Sequence, residues 1–196
     1  MLAGLYGVIN LMVNDFKADL EFSHLFEENP IWDEIYKKSF PTMIEKISYK
    51  ADGFWQREGI DRGIVLSNTK QVFIDEKVRG RNKKTGKVYD DIALEYLSSK
   101  EQNKPGWICK PLRADYIAYL IAPLGRCYML PVIQLQAAWQ KYGEQWINKY
   151  PKIPAQNIGY TTMSVGVPTA ILFKALGEEL RINFNPFELE QLEQAA

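Results

Sequence analysis

The spacing of apolar residues changes near residue 50, from helical periodicity to strand-like alternation. Between residues 29 and 49 the apolar residues recur three and four apart, and Pro41 interrupts them. Proline fits the first turn of a helix but damages its interior. This stretch therefore predicts two helices, over residues 30–39 and 41–50.

The next part of the chain is rich in β-branched residues and turn-forming residues, which is typical of strands and hairpins. It predicts strands over residues 60–66, 72–78, 88–97, 116–122 and 126–130.

The last third combines proline-initiated helices with one short strand. Pro131 is predicted to begin a helix that ends near residue 150, a strand follows over 158–163, and Pro168 begins a second helix that ends near Gly177. Helices and strands mixed in this order predict an α+β fold, with flanking helices around a mixed sheet.

Length and composition favour one globular domain spanning residues 1–196. We divide it into an N-terminal extension (1–29), a core (30–165) and a C-terminal helical segment (166–196). Apolar residues make up 46% and charged residues 24%, which excludes a disordered, collagen-like or coiled-coil chain.

Localisation is expected to be cytoplasmic. The two cysteines form no CxxC motif, and no apolar run reaches the roughly 20 residues that cross a membrane. The apolar start, residues 1–13, lacks the basic region of a secretory signal, and a natural start at Met12 is an alternative.

Charged residues lie within strands that are otherwise mostly apolar, and the candidates for a site are Asp61, Asp75, Lys77 and Glu95. Side chains alternate along a strand, so Asp75 and Lys77 share one face, while Glu76 points to the other.

Hairpin geometry predicts that these residues converge. If the first hairpin turns through residues 67–69, Asp61 lies opposite Asp75, whereas a two-residue turn would shift this register by one. A second hairpin centred on the Thr-Gly pair at 85–86 would bring Glu95 beside Asp75 and the lysine.

Carboxylates this close to one another resist joint ionisation, and a divalent cation would relieve the conflict. Oxygen ligands suit Mg²⁺, with Mn²⁺ as an alternative. A lysine beside them could orient a water molecule or stabilise developing negative charge.

A basic stretch follows the strand that carries Asp75 and Lys77, although the whole chain carries 24 basic and 24 acidic residues and has no net charge. Such a local concentration of cations is what contacts with a phosphate backbone require. The residues concerned are Arg79, Arg81, Lys83, Lys84 and Lys87.

The pairing of Asp61 with Asp75-Glu76-Lys77 resembles the signature of the PD-(D/E)XK nuclease superfamily, which has the restriction-endonuclease-like fold. The resemblance covers roughly residues 30–165. The sequence as a whole also resembles nuclease-like proteins of phages and mobile elements. One departure is the long strand-rich stretch that separates the motif from the next helix.

The resemblance implies a metal-dependent nuclease that hydrolyses DNA phosphodiester bonds. Asp61 and Asp75 would bind Mg²⁺, and Lys77 would assist the attacking water. Helix 41–50 would match the helix that opens the family core, with Glu45 as a further metal ligand. Glu95 as another ligand or base is inferred from register. Many such enzymes are homodimers.

Two other interpretations stay open. The acid-x-lysine tripeptide occurs twice, at 15–17 and 75–77, about as often as chance predicts, so only its structural context gives it weight. The chain could instead be a non-catalytic nucleic-acid-binding or regulatory protein on the same fold. It could also be an interaction protein whose acidic residues only face solvent.

The single histidine, His24, supports no histidine-based site.

Overall fold

Two five-stranded sheets and four α-helices make up the part of the chain that the computed structural model describes, residues 14–15, 26–82 and 85–181. This confirms the predicted α+β class. The strands are β1 (Asn14–Asp15), β2 (Met43–Ser48), β3 (Arg62–Leu66), β4 (Gln71–Arg79), β5 (Asp91–Ser99), β6 (Lys104–Pro105), β7 (Tyr116–Ile121), β8 (Arg126–Pro131), β9 (Lys152–Gln156) and β10 (Thr161–Pro168). The α-helices are α1 (Ile31–Ser39), α2 (Gly53–Arg57), α3 (Val132–Lys149) and α4 (Thr169–Glu179).

The first sheet has the order β2-β3-β4-β7-β8, and the second has the order β1-β9-β10-β5-β6. In the first sheet β4 and β7 run parallel, while the other neighbours are antiparallel. A parallel pair cannot be joined by a tight turn, so the chain must leave the first sheet after β4 and return to it. During that excursion it contributes β5 and β6 to the second sheet.

The first sheet separates two hydrophobic clusters. Its back face is covered by α1, whose buried Trp32 and Tyr36 pack with Ile64 and Ile74. Its front face belongs to a larger cluster that includes buried residues of β5, β10, α3 and α4. Alternation along β4 therefore places Asp75 and Lys77 in front and Glu76 behind.

The β3–β4 hairpin has the predicted register. Leu66 N donates to Lys70 O at 2.9 Å, and Arg62 pairs with Ile74, which sets Asp61 opposite Asp75. The second predicted hairpin of the first sheet, β7–β8, is also present, and Gly125 in its connection adopts a φ of 59°. Local turn chemistry thus determined both hairpins.

The predicted helix over 41–50 is wrong, because residues Met43–Ser48 form β2 and pair antiparallel with β3. A register shift between Met43 and Glu45 marks a bulge in this strand. The bulge inserts a residue and disturbs the alternation, so the apolar positions three apart matched a helix instead.

The predicted pairing of the 88–97 strand with the acid-x-lysine strand is also wrong. β5 pairs with β10 and β6, while β4 is hydrogen-bonded to β3 and β7. The Thr-Gly pair at 85–86 does form a turn, with Gly86 at φ 67°, but that turn connects two different sheets.

In the last third of the chain, the observed helices and strands begin and end at different residues from those predicted. The strand predicted over 158–163 is β10, which begins at Thr161, and β9 precedes it. Gly177 lies inside α4, which continues to Glu179. No helix in the described residues is long and apolar enough to cross a membrane.

Candidate metal and catalytic site

Two carboxylates and one ammonium group meet on the front face of the β3–β4 hairpin. Lys77 Nζ lies 2.5 Å from Asp75 Oδ1, and the two groups form an ion pair. Asp61 Oδ2 accepts a hydrogen bond of 2.7 Å from the backbone N–H of Glu76. The sequence-predicted residues Asp61, Asp75 and Lys77 are therefore brought together.

Backbone hydrogen bonds hold Asp61 in place at the start of β3. Its N–H donates to Ile74 O at 2.8 Å, and its carbonyl accepts from Tyr49 N at 2.9 Å. Gly59 makes the preceding bend with a φ of 73°, a conformation that other residues rarely adopt. The backbone of Asp61 is consequently bonded on both sides, and its side chain accepts from the backbone of β4.

Burial controls the ionisation of Asp75, whose residue exposure is only 4%. Burial raises the pKa of this carboxyl to about 6, Lys77 opposes the rise, and the neighbouring Asp61 carboxylate adds to it. Burial disfavours the charge of Lys77, but Asp75 and Asp61 more than offset this, so the lysine pKa is raised. The Lys77 side chain is 33% exposed and remains accessible from solvent.

Glu95 reaches the same site from the second sheet. Burial raises the pKa of Glu95, while Lys77, the backbone N–H of Trp107 and Lys110 lower it. The Glu95 carboxylate in turn helps to raise the pKa of Lys77, although the strand pairing predicted to bring the two together is absent. Sheet packing, rather than a hairpin, brings Glu95 to the lysine.

Trp107 also lies beside the site, with its ring centroid 6.0 Å from Lys77 Nζ. The residue before it must be glycine, since a Cβ at Gly106 would lie 2.1 Å from the backbone oxygen of Glu95. This close approach fixes the tryptophan segment against β5. Trp107 is partly buried against the front-face core and was not among the residues predicted for the site.

The predicted phosphate contacts divide into two kinds. Arg79 forms a 2.7 Å ion pair with Asp91, and their side chains are only 17% and 12% exposed. Arg81 and Lys87 are exposed, and Lys87 Nζ lies 5.0 Å from the ring centroid of Tyr89. Lys83 and Lys84 lie outside the described residues, so the structure places only Arg81 and Lys87 on the surface.

Glu45 is not brought to the site. It is exposed on β2 and pairs with Val65, four residues along β3 from Asp61. Four residues of strand span about 13 Å, too far for a shared ion. This residue was expected on a helix, and the strand places it toward the distal end of the hairpin.

A second charged cluster lies on the back face and was missed by sequence reasoning. Glu76 accepts hydrogen bonds from Tyr36 Oη at 2.6 Å and from Arg62 Nε at 3.1 Å. Lys50 Nζ is 2.7 Å from its other carboxylate oxygen. The sequence feature that could have indicated this cluster is the pair of opposite charges, Arg62 and Glu76, on the apolar side of two neighbouring strands.

The donor set suits a hard cation that keeps part of its water. Among the described residues no group of three or more histidine, cysteine, aspartate or glutamate side chains is arranged to hold a metal ion. Mg²⁺ commonly uses only one or two protein carboxylates together with water and substrate phosphate oxygens. Asp61 and Asp75, with like charges on adjacent strands, match that smaller requirement.

Comparison of the chain with protein-family models, with curated proteins and with solved structures finds no match. The functional argument therefore depends on the geometry and chemistry of the site itself.

Proposed function

We propose that the chain is a metal-dependent nuclease that hydrolyses DNA phosphodiester bonds, as its resemblance to the PD-(D/E)XK superfamily implies. One observation carries the proposal: Asp61 and Asp75 lie opposite each other on adjacent strands, and Lys77 Nζ is 2.5 Å from Asp75. This is the acid, acid-x-lysine arrangement in three dimensions.

Asp61 and Asp75 would hold Mg²⁺ or Mn²⁺. When bound, such an ion neutralises charge on a phosphate and lowers the pKa of a water molecule. The Asp61 carboxylate, which adds to the rise in the pKa of Asp75, is the physical reason that a cation would be favoured here. Glu95, close enough to influence Lys77, would be a further ligand or base at the edge of the site.

Lys77 would orient the attacking water and stabilise negative charge as it develops on the phosphate. Its ammonium is suited to this because one end of the interaction is fixed by Asp75 while a third of the side chain faces solvent. A donor that is already in position costs no reorganisation during the reaction.

The DNA backbone would be held by exposed cations beyond the end of β4. Arg81 and Lys87 support this assignment through their exposure. Arg79 is proposed to act indirectly, because its ion pair with Asp91 links β4 to β5. The enzyme is expected to be cytoplasmic, and neither Cys109 nor Cys127 is joined in a disulfide.

The deciding experiment compares wild type with the double variant Asp61→Asn, Asp75→Asn. Mn²⁺ and Mg²⁺ binding would be measured by calorimetry, and conversion of supercoiled plasmid DNA to nicked circles would be followed on gels. Glu101→Gln is the matched control, since Glu101 also accepts a backbone N–H, from Thr161 at 2.8 Å, but lies in an exposed loop.

We expect wild type and Glu101→Gln to bind metal and nick DNA, and the double variant to do neither. Metal and DNA binding without cleavage would indicate the non-catalytic nucleic-acid-binding alternative. Absence of metal binding in wild type, even with DNA present, would overturn the proposal.

A further inference from the structure

The back face of the β3–β4 hairpin carries a closed network of charges directly behind the candidate metal site. The Glu76 carboxylate is approached by Tyr36 Oη, Arg62 Nε and Lys50 Nζ at 2.6, 3.1 and 2.7 Å. Arg62 also donates to Glu27 O and pairs with Glu28 at 3.1 Å. The side chains of Glu76 and Arg62 are each only 1% exposed.

Glu76 connects the two faces through a single residue. Its side chain is held behind the sheet by two hydrogen-bond donors and the Lys50 ammonium, and its backbone N–H donates to Asp61 Oδ2 in front at 2.7 Å. Asp75 and Lys77 are its immediate neighbours in β4. A rotation or shift of Glu76 would therefore move the donor to Asp61 and both other groups of the site together.

This network is a costly way to fill the back face. A buried ion pair often contributes no more stability than well-packed apolar residues of similar volume. Arg62 Nη1 moreover has no hydrogen-bond partner among the described residues. Its surroundings are apolar, with Ile64 and Ile74 fully buried on the same side. Stability alone does not account for charges at these positions.

We infer that Glu76, held by Tyr36, Arg62 and Lys50, is a positioning residue that fixes the Asp61 carboxylate relative to Asp75 and Lys77. The inference deepens the proposed function and rests on it. Groups that orient metal ligands typically change metal affinity or activity by 10–100-fold when they are replaced.

The main test variant is Arg62→Met with Glu76→Met, which removes both charges at once and keeps the volume. Tyr36→Phe is a milder variant that leaves every charge in place and decides the question if the double variant fails to fold. Tyr142→Phe is the matched control, because Tyr142 also donates its hydroxyl to a carboxylate, Glu178, but does so between α3 and α4.

Five quantities would be measured on each full-length variant: the melting temperature, Mn²⁺ affinity, the kcat and the KM of plasmid nicking, and amide hydrogen exchange. Exchange at residue 76 is compared with exchange at residue 61, whose N–H donates to Ile74 O in the same hairpin. This ratio reports the contact with Asp61 and needs neither metal nor activity.

We expect the double variant to melt near wild type yet bind Mn²⁺ about 10–100-fold more weakly and lose kcat in the same range. KM for DNA should change little, because the proposed phosphate contacts lie beyond β4. Amide 76 should exchange faster relative to amide 61. Tyr36→Phe should change the same quantities less, and Tyr142→Phe should match wild type.

Wild-type metal affinity and kcat in a folded Arg62→Met, Glu76→Met protein would overturn the inference. So would losses in Tyr36→Phe that Tyr142→Phe reproduces. If wild type itself neither binds Mn²⁺ nor nicks DNA, the proposed function fails, and the exchange ratio then decides separately. If the ratio of exchange at amide 76 to exchange at amide 61 is the same in the variants as in wild type, the positioning role is overturned. A higher ratio in the variants would support the role of Glu76 in positioning Asp61.

Discussion

The two faces of the β3–β4 hairpin carry charged groups from consecutive residues of β4, but they differ in the ratio of carboxylates to cations. Behind the sheet, one carboxylate, Glu76, faces the cations Arg62 and Lys50. In front, two carboxylates, Asp61 and Asp75, lie near the single ammonium of Lys77, which pairs with Asp75. The back face is buried and its carboxylate is paired with cations, whereas the front retains an excess of negative charge beside solvent.

This difference shows how one hairpin can combine rigidity with binding capacity. Buried charges that are fully paired resist displacement, because removal of one partner leaves the other uncompensated. Like charges held together raise the free energy of the empty site and favour whatever cation relieves them. The back face would thus maintain the geometry that the front face needs.

The largest expected effect comes from removing the ammonium of the front face. Lys77→Ala should lower the rate of DNA nicking about 10²–10⁴-fold, because a positioned group that handles the attacking water is lost. Far-ultraviolet circular dichroism should stay unchanged, and Mn²⁺ should still bind. The control is Lys141→Ala, an exposed lysine that pairs with Glu179 at 3.1 Å. Wild-type nicking by Lys77→Ala would remove the assigned role.

Breaking the back face should mainly reduce stability. Arg62→Met alone leaves the buried Glu76 carboxylate with fewer donors and should lower the free energy of unfolding by about 3–5 kcal/mol. Arg126→Met, which breaks the exposed pair with Asp90, should cost about 0–1 kcal/mol. Urea unfolding measures both, and equal losses in the two variants would contradict the contrast between buried and exposed pairs.

The smallest effect concerns pH and the front face without metal. Because burial raises the pKa of Asp75 from 3.8 to about 6, the folded state binds its proton more tightly than the unfolded state. This stabilising contribution is present below pH 3.8 and is lost as the pH rises through about 6. Asp75→Asn should therefore gain stability relative to wild type over that window, by roughly 1–3 kcal/mol.

Urea unfolding at a series of pH values in the presence of a chelator would measure this gain. A stability difference between Asp75→Asn and wild type that does not vary with pH would show that the Asp75 carboxyl titrates alike in both states. Adding Mg²⁺ at neutral pH should stabilise wild type and leave Asp75→Asn nearly unaffected, which sharpens the contrast between the two faces.

The sequence predicted the hairpin well because its register depends on local turn chemistry. A turn through residues 67–69 determines which residues of β3 and β4 oppose each other, so the positions of Asp61, Asp75 and Lys77 followed from this turn together with alternation. β2 was mistaken for a helix because its bulge at Met43 and Glu45 disturbs that alternation.

Long-range choices were not encoded in such local patterns. Nothing near β4 indicates that its second neighbour is β7 rather than β5, so the predicted pairing of the Glu95 strand was wrong. Glu95 instead influences Lys77 from the second sheet. The back-face network was missed for the same reason, since the Tyr36 hydroxyl and Glu76 are 40 residues apart.

The parallel β4–β7 pair also has a consequence for the order in which the molecule assembles. The β3–β4 hairpin closes over a short loop, and hairpins of this kind form in about 1–10 μs. β7 can join only after the chain has completed its excursion through the second sheet, a closure with a larger entropic barrier. Asp61, Asp75 and Lys77 would then meet early in folding, while Glu95 and Trp107 would arrive late, as the two sheets dock.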